Sequence, residues 1–247
     1  MADRPHSLII GGTKGLGRVV ARRFSELGHA VSVIARNAVP SAALPGAECW
    51  NADLLDTNAM IRTVSEITDQ RGLFNYVVFA QRYRGDSDPW AGELAVTLTA
   101  TKVLIDALNG CFQTSGDRAI VLVSSVYAEF VGDSQPVGYH VAKAGLNQMV
   151  RYYAMNLGER GIRVNGIMPF TFLKEESKAY YLENKPLHEL FEEIIPLGRM
   201  GTTEDSANLI EFLCSPKAGF INGQNIFVDG GLSIAWPENL ARRLKNI

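Results

Sequence analysis

Cysteine is scarce in this chain: Cys49, Cys111 and Cys214 are the three present. Their number is odd, their spacings are wide and no CxxC pair occurs, which argues against a disulfide framework or a thiolate zinc site and for a reducing, cytoplasmic compartment. Each reads as a small core hydrophobe. Long apolar runs are missing too. Nothing approaches the ~18 consecutive residues of a membrane span, and residues 1–6 lack the basic-then-apolar build of a secretory signal. No sign of charge dominates. The formal net charge is −2 with acids and bases interspersed, so there is no electrostatic footprint for nucleic acid or a membrane surface. There is no repeat, low-complexity tract or composition break. What is present is 247 residues, 47% of them apolar, enough for a sizeable core.

Residues 7–10 are a short apolar run, read as a buried strand. The run enters Gly11-Gly-Thr-Lys-Gly-Leu-Gly17 and then an amphipathic helix with Leu16, Val19, Val20, Phe24 and Leu27 on one face. Residues 30–34 make a second strand, completing a right-handed βαβ unit. Gly11, Gly15 and Gly17 permit a tight bend, close approach of backbone to a pyrophosphate and close helix–strand packing. The first N–H groups of the helix then face the phosphates. The end of the second strand, Ile34-Ala-Arg36-Asn37, offers no acid for a ribose hydroxyl. Arg36, with Lys14 inside the turn, suits a 2′-phosphate and therefore NADP(H); two ordinary surface charges are the alternative.

Further strands are expected at 47–50, 74–79, 119–123, 163–168 and 226–228, with helices at 57–68, 94–112 and 138–160. Strands alternating with helices predict an α/β fold: a doubly wound, Rossmann-like, mainly parallel seven-stranded sheet with helices on both faces, one domain over 1–247. Residues 172–195 break the alternation. They are helix-prone, charged and placed directly after a strand's carboxyl end, where α/β sheets bind ligands, so they are a candidate substrate lid. An ordinary surface helical hairpin is the other reading. Residues 232–247 form a C-terminal tail.

Tyr139 and Lys143 stand four apart in the expected helix 138–160, on one face with Cβ atoms about 5–6 Å apart. A cation fixed beside a phenol favours the phenolate and moves it toward use as a general acid/base. Taken alone, such a pair is more often a half-buried aromatic beside a solvated charge.

Together, Gly11-x-x-x-Gly15-x-Gly17, Asp53-Leu54, Ser124-Ser125, Tyr139-x-x-x-Lys143, Ile162-Arg-Val-Asn165 with Pro169, Ile195-Pro-Leu-Gly-Arg199 and the stretch from Asn222 to Gly231 resemble the short-chain dehydrogenase/reductase family. The resemblance is to its single-domain branch near ketoacyl and carbonyl reductases, and it runs from Ser7 to Gly231. It implies that Tyr139 is the general acid/base, that Lys143 lowers its pKa and binds the nicotinamide ribose, and that Ser125, chosen over Ser124, orients the substrate oxygen. It implies an NADP(H) site of Gly11, Thr13, Lys14, Gly15, Leu16, Gly17, Arg36, Asp53, Leu54, Ala80, Tyr139, Lys143, Pro169, Thr171 and Phe172. Among these, Lys14 and Arg36 meet the 2′-phosphate, while Asp53 and Leu54 meet the adenine. Thr97 aligns with a catalytic Asn that anchors a water against the lysine.

The chain departs from the family pattern at Val78-Phe79-Ala80-Gln81 (usually Asn-Asn-Ala-Gly), with Phe79 expected to place bulk at the cofactor, and at Pro169-Phe170 (usually Pro-Gly). The implied activity is NADP(H)-dependent carbonyl reduction or alcohol oxidation on a small molecule, without a metal, and not fast. The alternative is a cofactor-binding member with weak or no turnover, serving as a sensor or partner subunit. Sugar-nucleotide epimerase or dehydratase chemistry is disfavoured by the glycine spacing. A homodimer or homotetramer is implied, paired through helices 94–112 and 138–160 and the final strand near Phe227. Met149, Tyr152 and Met155 form an apolar outer face, and Trp236 and Leu240 reach toward a neighbour.

Overall fold

Five consecutive buried residues, His6–Ile10, form β1 in the interior of the sheet. In the computed structural model, which describes residues 4–37, 39, 43–85 and 88–245, the chain then turns through the glycines into α1 (Gly15–Glu26) and β2 (Ala30–Ala35). The ends of the expected domain and tail, residues 1–3 and 246–247, lie outside the described residues. β3 (Ala47–Asn51), α2 (Thr57–Arg71) and β4 (Tyr76–Phe79) follow. After β4 come α3 (Pro89–Glu93), a π-helical turn (Leu94–Thr99) and α4 (Ala100–Ala107), and then β5 (Ala119–Val123) and α5 (Val137–Gly158).

The remaining elements are β6 (Arg163–Pro169), β7 (Phe172–Leu173), α6 (Lys178–Glu183), α7 (Lys185–Ile194) and β8 (Gly201–Thr202). They are followed by α8 (Thr203–Leu213), β9 (Asn225–Val228) and α9 (Pro237–Lys245).

The sheet order is β3-β2-β1-β4-β5-β6-β9, and every neighbouring pair is parallel. This is the seven-stranded, doubly wound sheet expected. β7 and β8 pair separately as a two-residue ladder. Burial on both faces explains why β4 and β5 read as unbroken apolar runs: one core packs Leu8, Ile10 and Phe79 with α2, α4 and α5, the other packs Ile9, Val33 and Val78 with α1 and α8. The order in which strands are laid down reverses between β1 and β4, and the crevice beyond their carboxyl ends is the ligand-binding position of such sheets.

One expectation changes. The helix expected at 94–112 starts at Pro89, because the Asp88 side chain accepts the N–H groups of Trp90 and Ala91 at 3.0 and 3.3 Å and proline favours the first helical position. It ends at Ala107; Gly110 has a φ of +91°, and Phe112 bridges Phe74 instead of continuing the helix. The tail forms α9, which packs on α7 of its own chain and leaves Trp236 exposed.

Candidate active site

β5 delivers two serines at its carboxyl end, and adjacent residues of an extended chain point to opposite faces. The Ser124 hydroxyl donates to the Lys143 carbonyl at 3.2 Å, inside the protein. The Ser125 hydroxyl accepts the Tyr127 N–H at 3.2 Å, capping a short 3₁₀ turn, and is hydrogen-bonded to the side chain of Tyr139. Of the pair, Ser125 therefore meets the phenol.

α5 presents Tyr139 and Lys143 on one face, as their spacing requires. Lys143 is 3% exposed. Its ammonium lies 5.6 Å from the Tyr139 ring centroid and donates to the Val123 carbonyl at 2.8 Å. Burial lowers its pKa to about 8, with the Glu93 carboxylate opposing the fall and Arg82 and Lys174 adding to it. The expected lowering of the Tyr139 pKa is not found. Burial raises it, against the Ser125 hydrogen bond and the positive charge of Arg82, because removing a phenolate from water outweighs those partners.

Thr97 lies deeper than its alignment implies. It is buried in the π-helical turn, its hydroxyl donates to Glu93 Oε2 at 3.3 Å and its carbonyl accepts from Thr101 Oγ1 at 2.7 Å. Each group that would hold a water against Lys143 thus already has one partner, and Thr97 does not line the cavity. Glu93 is 4% exposed. Burial raises its pKa, opposed by Lys143, the Thr97 hydrogen bond and Arg82. Gln81, where the family has glycine, extends this network by donating to Thr101 Oγ1 at 2.8 Å, while its own Oε1 is buried without a partner among the described residues. Phe79 does not crowd the cofactor side, contrary to expectation. As the last residue of β4 it alternates inward and lies 2% exposed in the core with Ile10 and Leu122.

The glycine turn is built as its spacing predicts. Gly11 and Gly15 have φ of +82° and +52°, and a Cβ on Gly17 would fall 2.3 Å from the Gly11 carbonyl oxygen. The Gly15 N–H, at the start of α1, donates to Glu176 Oε1 at 2.9 Å, and neighbouring Glu175 pairs with Arg18 at 3.0 Å. Burial raises the Glu176 carboxyl, but N–H groups of Glu176 and Gly15 with Arg18 and Arg84 outweigh it and hold its pKa low. A carboxylate from the segment after β7 thus sits on the positive end of α1.

A cavity of about 550 Å³ joins these parts. Its lining includes Lys14, Gly15, Leu16, Ala80, Ser125, Tyr139 and Lys143, with Pro169, Phe170, Thr171, Phe172 and Tyr181 closing one side. Phe170 meets Phe191 edge-on at 5.6 Å, and Phe191 meets Tyr181 at 6.0 Å. Arg36 and Asp53 line a second cavity of about 520 Å³ with Asn51 and Asp56. Lys14 and Arg36 are therefore not gathered in one cavity, and Arg36 Nη2 donates to the Arg84 carbonyl at 3.2 Å. Leu54 packs half-buried against the core. Gly11, Gly17 and Thr13 shape the turn from behind, the Thr13 carbonyl accepting Arg18 Nε at 2.9 Å.

Sequence reasoning missed Glu93, Glu176, Gln81 and Arg82. Gln81 carried a local signal as a departure from the family pattern, and Glu93 as a residue four before Thr97 on the same helix face. His140 stacks on Tyr127, with its Nε2 accepting the Gly132 N–H, and His188 pairs with Glu192; neither lines this cavity. No group of three His, Cys, Asp or Glu residues able to hold a metal occurs among the described residues, and no helix among them is long and apolar enough to cross a membrane.

A family model described as Enoyl-(Acyl carrier protein) reductase matches residues 11–233. A tropinone reductase homologue of Arabidopsis thaliana is 30% identical, covering 92% of this chain and 92% of its own. An isoepoxydon dehydrogenase of Penicillium expansum is 28% identical over 93% and 95%. The aldohexose dehydrogenase of Thermoplasma acidophilum has a TM-score of 0.83 at 23% identity, with 95% and 96% covered, a likeness of fold. The chain belongs to the short-chain dehydrogenase/reductase family, oxidoreductases that use nicotinamide cofactors on the carbonyl or alcohol groups of small molecules.

Proposed function

We propose that this chain is an NADP(H)-dependent oxidoreductase that reduces a carbonyl, or oxidises the matching alcohol, with Tyr139 as general acid/base. One observation carries the reading: the Tyr139 ring, the Ser125 hydroxyl bonded to it and the buried Lys143 ammonium 5.6 Å from its centroid share a cavity with the glycine turn. The turn fits a dinucleotide on its own evidence, since an anionic group already accepts the Gly15 N–H and no side chain can occupy position 17.

When bound, the cofactor supplies or accepts the hydride. Ser125 donates to the substrate oxygen and holds it beside Tyr139. Tyr139 gives that oxygen its proton in reduction and recovers it in oxidation. Lys143, an ammonium below pH about 8, stabilises the phenolate left behind and meets the nicotinamide ribose. Gly11, Thr13, Lys14, Gly15, Leu16 and Gly17 form the phosphate cradle, and Arg36, in the second cavity with Asp53, takes the 2′-phosphate. Asp53 and Leu54 serve the adenine, while Ala80, Pro169, Thr171 and Phe172 serve the nicotinamide side. Residues 172–195 act as the lid. The free thiols of Cys49, Cys111 and Cys214 fit a cytoplasmic protein. Tyr152 and Met155, 61% and 79% exposed on α5, with Phe227 on the edge strand, form the surface of a homodimer or homotetramer.

Binding and turnover with NADPH and NADH over a panel of ketones test the reading. Arg36→Ala is expected to weaken NADPH about 10- to 100-fold, the loss of one charged hydrogen bond, and NADH little. Equal affinity for the two cofactors, unchanged by the substitution, refutes the cofactor assignment. A second reading, a cofactor-binding sensor or partner subunit with weak turnover, is favoured by the engaged Thr97 hydroxyl and carbonyl. It predicts thermal stabilisation by NADPH without ketone-dependent oxidation.

A further inference from the structure

We infer that Arg82 is a substrate-binding residue that recognises an oxoanion, so that the substrate is a carbonyl compound carrying a carboxylate or phosphate close to the reacting carbon. The inference rests on the reductase reading and deepens it. Arg82 follows β4 and stands over the catalytic tyrosine, its Cζ 5.4 Å from the Tyr139 ring centroid. One Nη donates to Gln135 Oε1 at 2.8 Å, which fixes the guanidinium against the loop between β5 and α5. Arg82, Gln135, Ser134, Ser125 and Tyr139 line the same cavity. No carboxylate pairs with Arg82 among the described residues.

The surroundings are cationic beyond what a cofactor needs. The described lining holds Lys14, Arg82, Arg84, Lys143 and Lys174 against one acid, Glu176, which is engaged by Gly15. Half-buried Lys174 is crowded by both arginines. Glu93, outside the lining, offsets part of the charge of Lys143 and Arg82; the remaining excess of like charge is unfavourable in the cavity and becomes favourable when an anion enters it. Position divides the labour. Lys14 and the glycine turn face the phosphate end, with Arg84 acting on Glu176 there. Arg82 stands at the proton-donating end, over the Tyr139 ring. An arginine there offers a planar pair of N–H donors that matches a carboxylate or phosphate edge, with Gln135 holding the fork in place.

The test uses two matched pairs: benzoylformate against its methyl ester, and dihydroxyacetone phosphate against dihydroxyacetone, each with NADPH. The wild type is expected to favour the charged member of at least one pair at least tenfold in kcat/KM, and the pair that responds identifies carboxylate or phosphate. Arg82→Gln is expected to shrink that preference about tenfold or more, mostly through KM, and Arg82→Lys to restore part of it. Because Arg82 also acts on Tyr139, the ratio within a pair, and not the absolute rate, reports recognition. A wild type that prefers the neutral member of both pairs, or an Arg82→Gln variant that loses equally on both members, overturns the inference. If NADPH binds but no ketone is turned over, the reductase reading fails separately. Thermal stabilisation of the NADP⁺ complex by benzoylformate and by dihydroxyacetone phosphate then decides: stabilisation by either that Arg82→Gln abolishes upholds the oxoanion site, and its absence for both ends it.

Discussion

Lys143→Met isolates what the active-site ammonium costs the fold. Burial takes this lysine from 10.5 to about 8, which corresponds to about 3 kcal/mol at about 1.36 kcal/mol per pKa unit. Because the folded pKa is depressed, the full penalty stands below pH 8, where both folded and unfolded chains are protonated. Between about 8 and 10.5 the unfolded chain holds more protons, so stability rises with pH; above 10.5 the penalty is gone. Methionine keeps the length of the side chain and removes the charge. It also leaves the Val123 carbonyl without its 2.8 Å partner, a loss of about 1–3 kcal/mol that is the same at every pH. Urea unfolding without added cofactor, at pH 7 and pH 10, is the assay. Relative to the Met variant, the wild type is expected to gain about 2–3 kcal/mol between the two pH values, while the variant's turnover is lost at both. An unchanged difference between wild type and variant at pH 7 and pH 10 refutes the claim that the buried ammonium opposes folding.

Further substitutions probe the site and the scaffold. Glu176→Gln removes the charge that competes for the Gly15 N–H and is expected to tighten NADP⁺ binding about three- to tenfold by titration calorimetry, the modest size reflecting an exposed carboxylate. Weaker binding would show that Glu176 helps to hold the cofactor. Asp117→Ala strands Arg163, whose Nη2 meets Asp117 at 2.8 Å with the two side chains 9% and 17% exposed. Chemical denaturation should show a loss of about 3–5 kcal/mol, and a loss below 1 kcal/mol would mean that water already compensates the pair.

The frame of the molecule was readable from local signals. Short apolar runs and period-3.6 apolar patterns place the strands and helices, and three glycines at positions 11, 15 and 17 fix the turn because side chains rarely adopt those angles or tolerate that approach. Tyr139 and Lys143 share a face by helical geometry alone. What escaped depends on tertiary placement. Spacing shows that Ser124 and Ser125 point opposite ways but not which one faces Tyr139, and the same parity sends Phe79 into the core. The start of the helix before Leu94 was written in Asp88-Pro89, a cap and first-turn pair that also reads as a loop. Glu176 reaches Gly15 across 161 residues of sequence, and Arg82 reaches Tyr139 from another strand end. No local pattern encodes either contact. The pKa of Tyr139 differs from expectation because a pattern shows a cation nearby and does not show how much water has been removed.

The central claim is that Tyr139 donates the proton in a nicotinamide-dependent carbonyl reduction. The direct measurement is NADPH oxidation over a ketone panel by wild type and Tyr139→Phe, with cofactor affinity measured alongside. The account predicts a ketone-dependent rate in the wild type, a fall of about 10²- to 10⁴-fold in the Phe variant and cofactor binding within about threefold of wild type, since the lost hydroxyl is directed at the substrate oxygen. A Phe variant that turns over the same ketones at an undiminished rate, or a wild type that binds NADPH and oxidises it with none, contradicts the account.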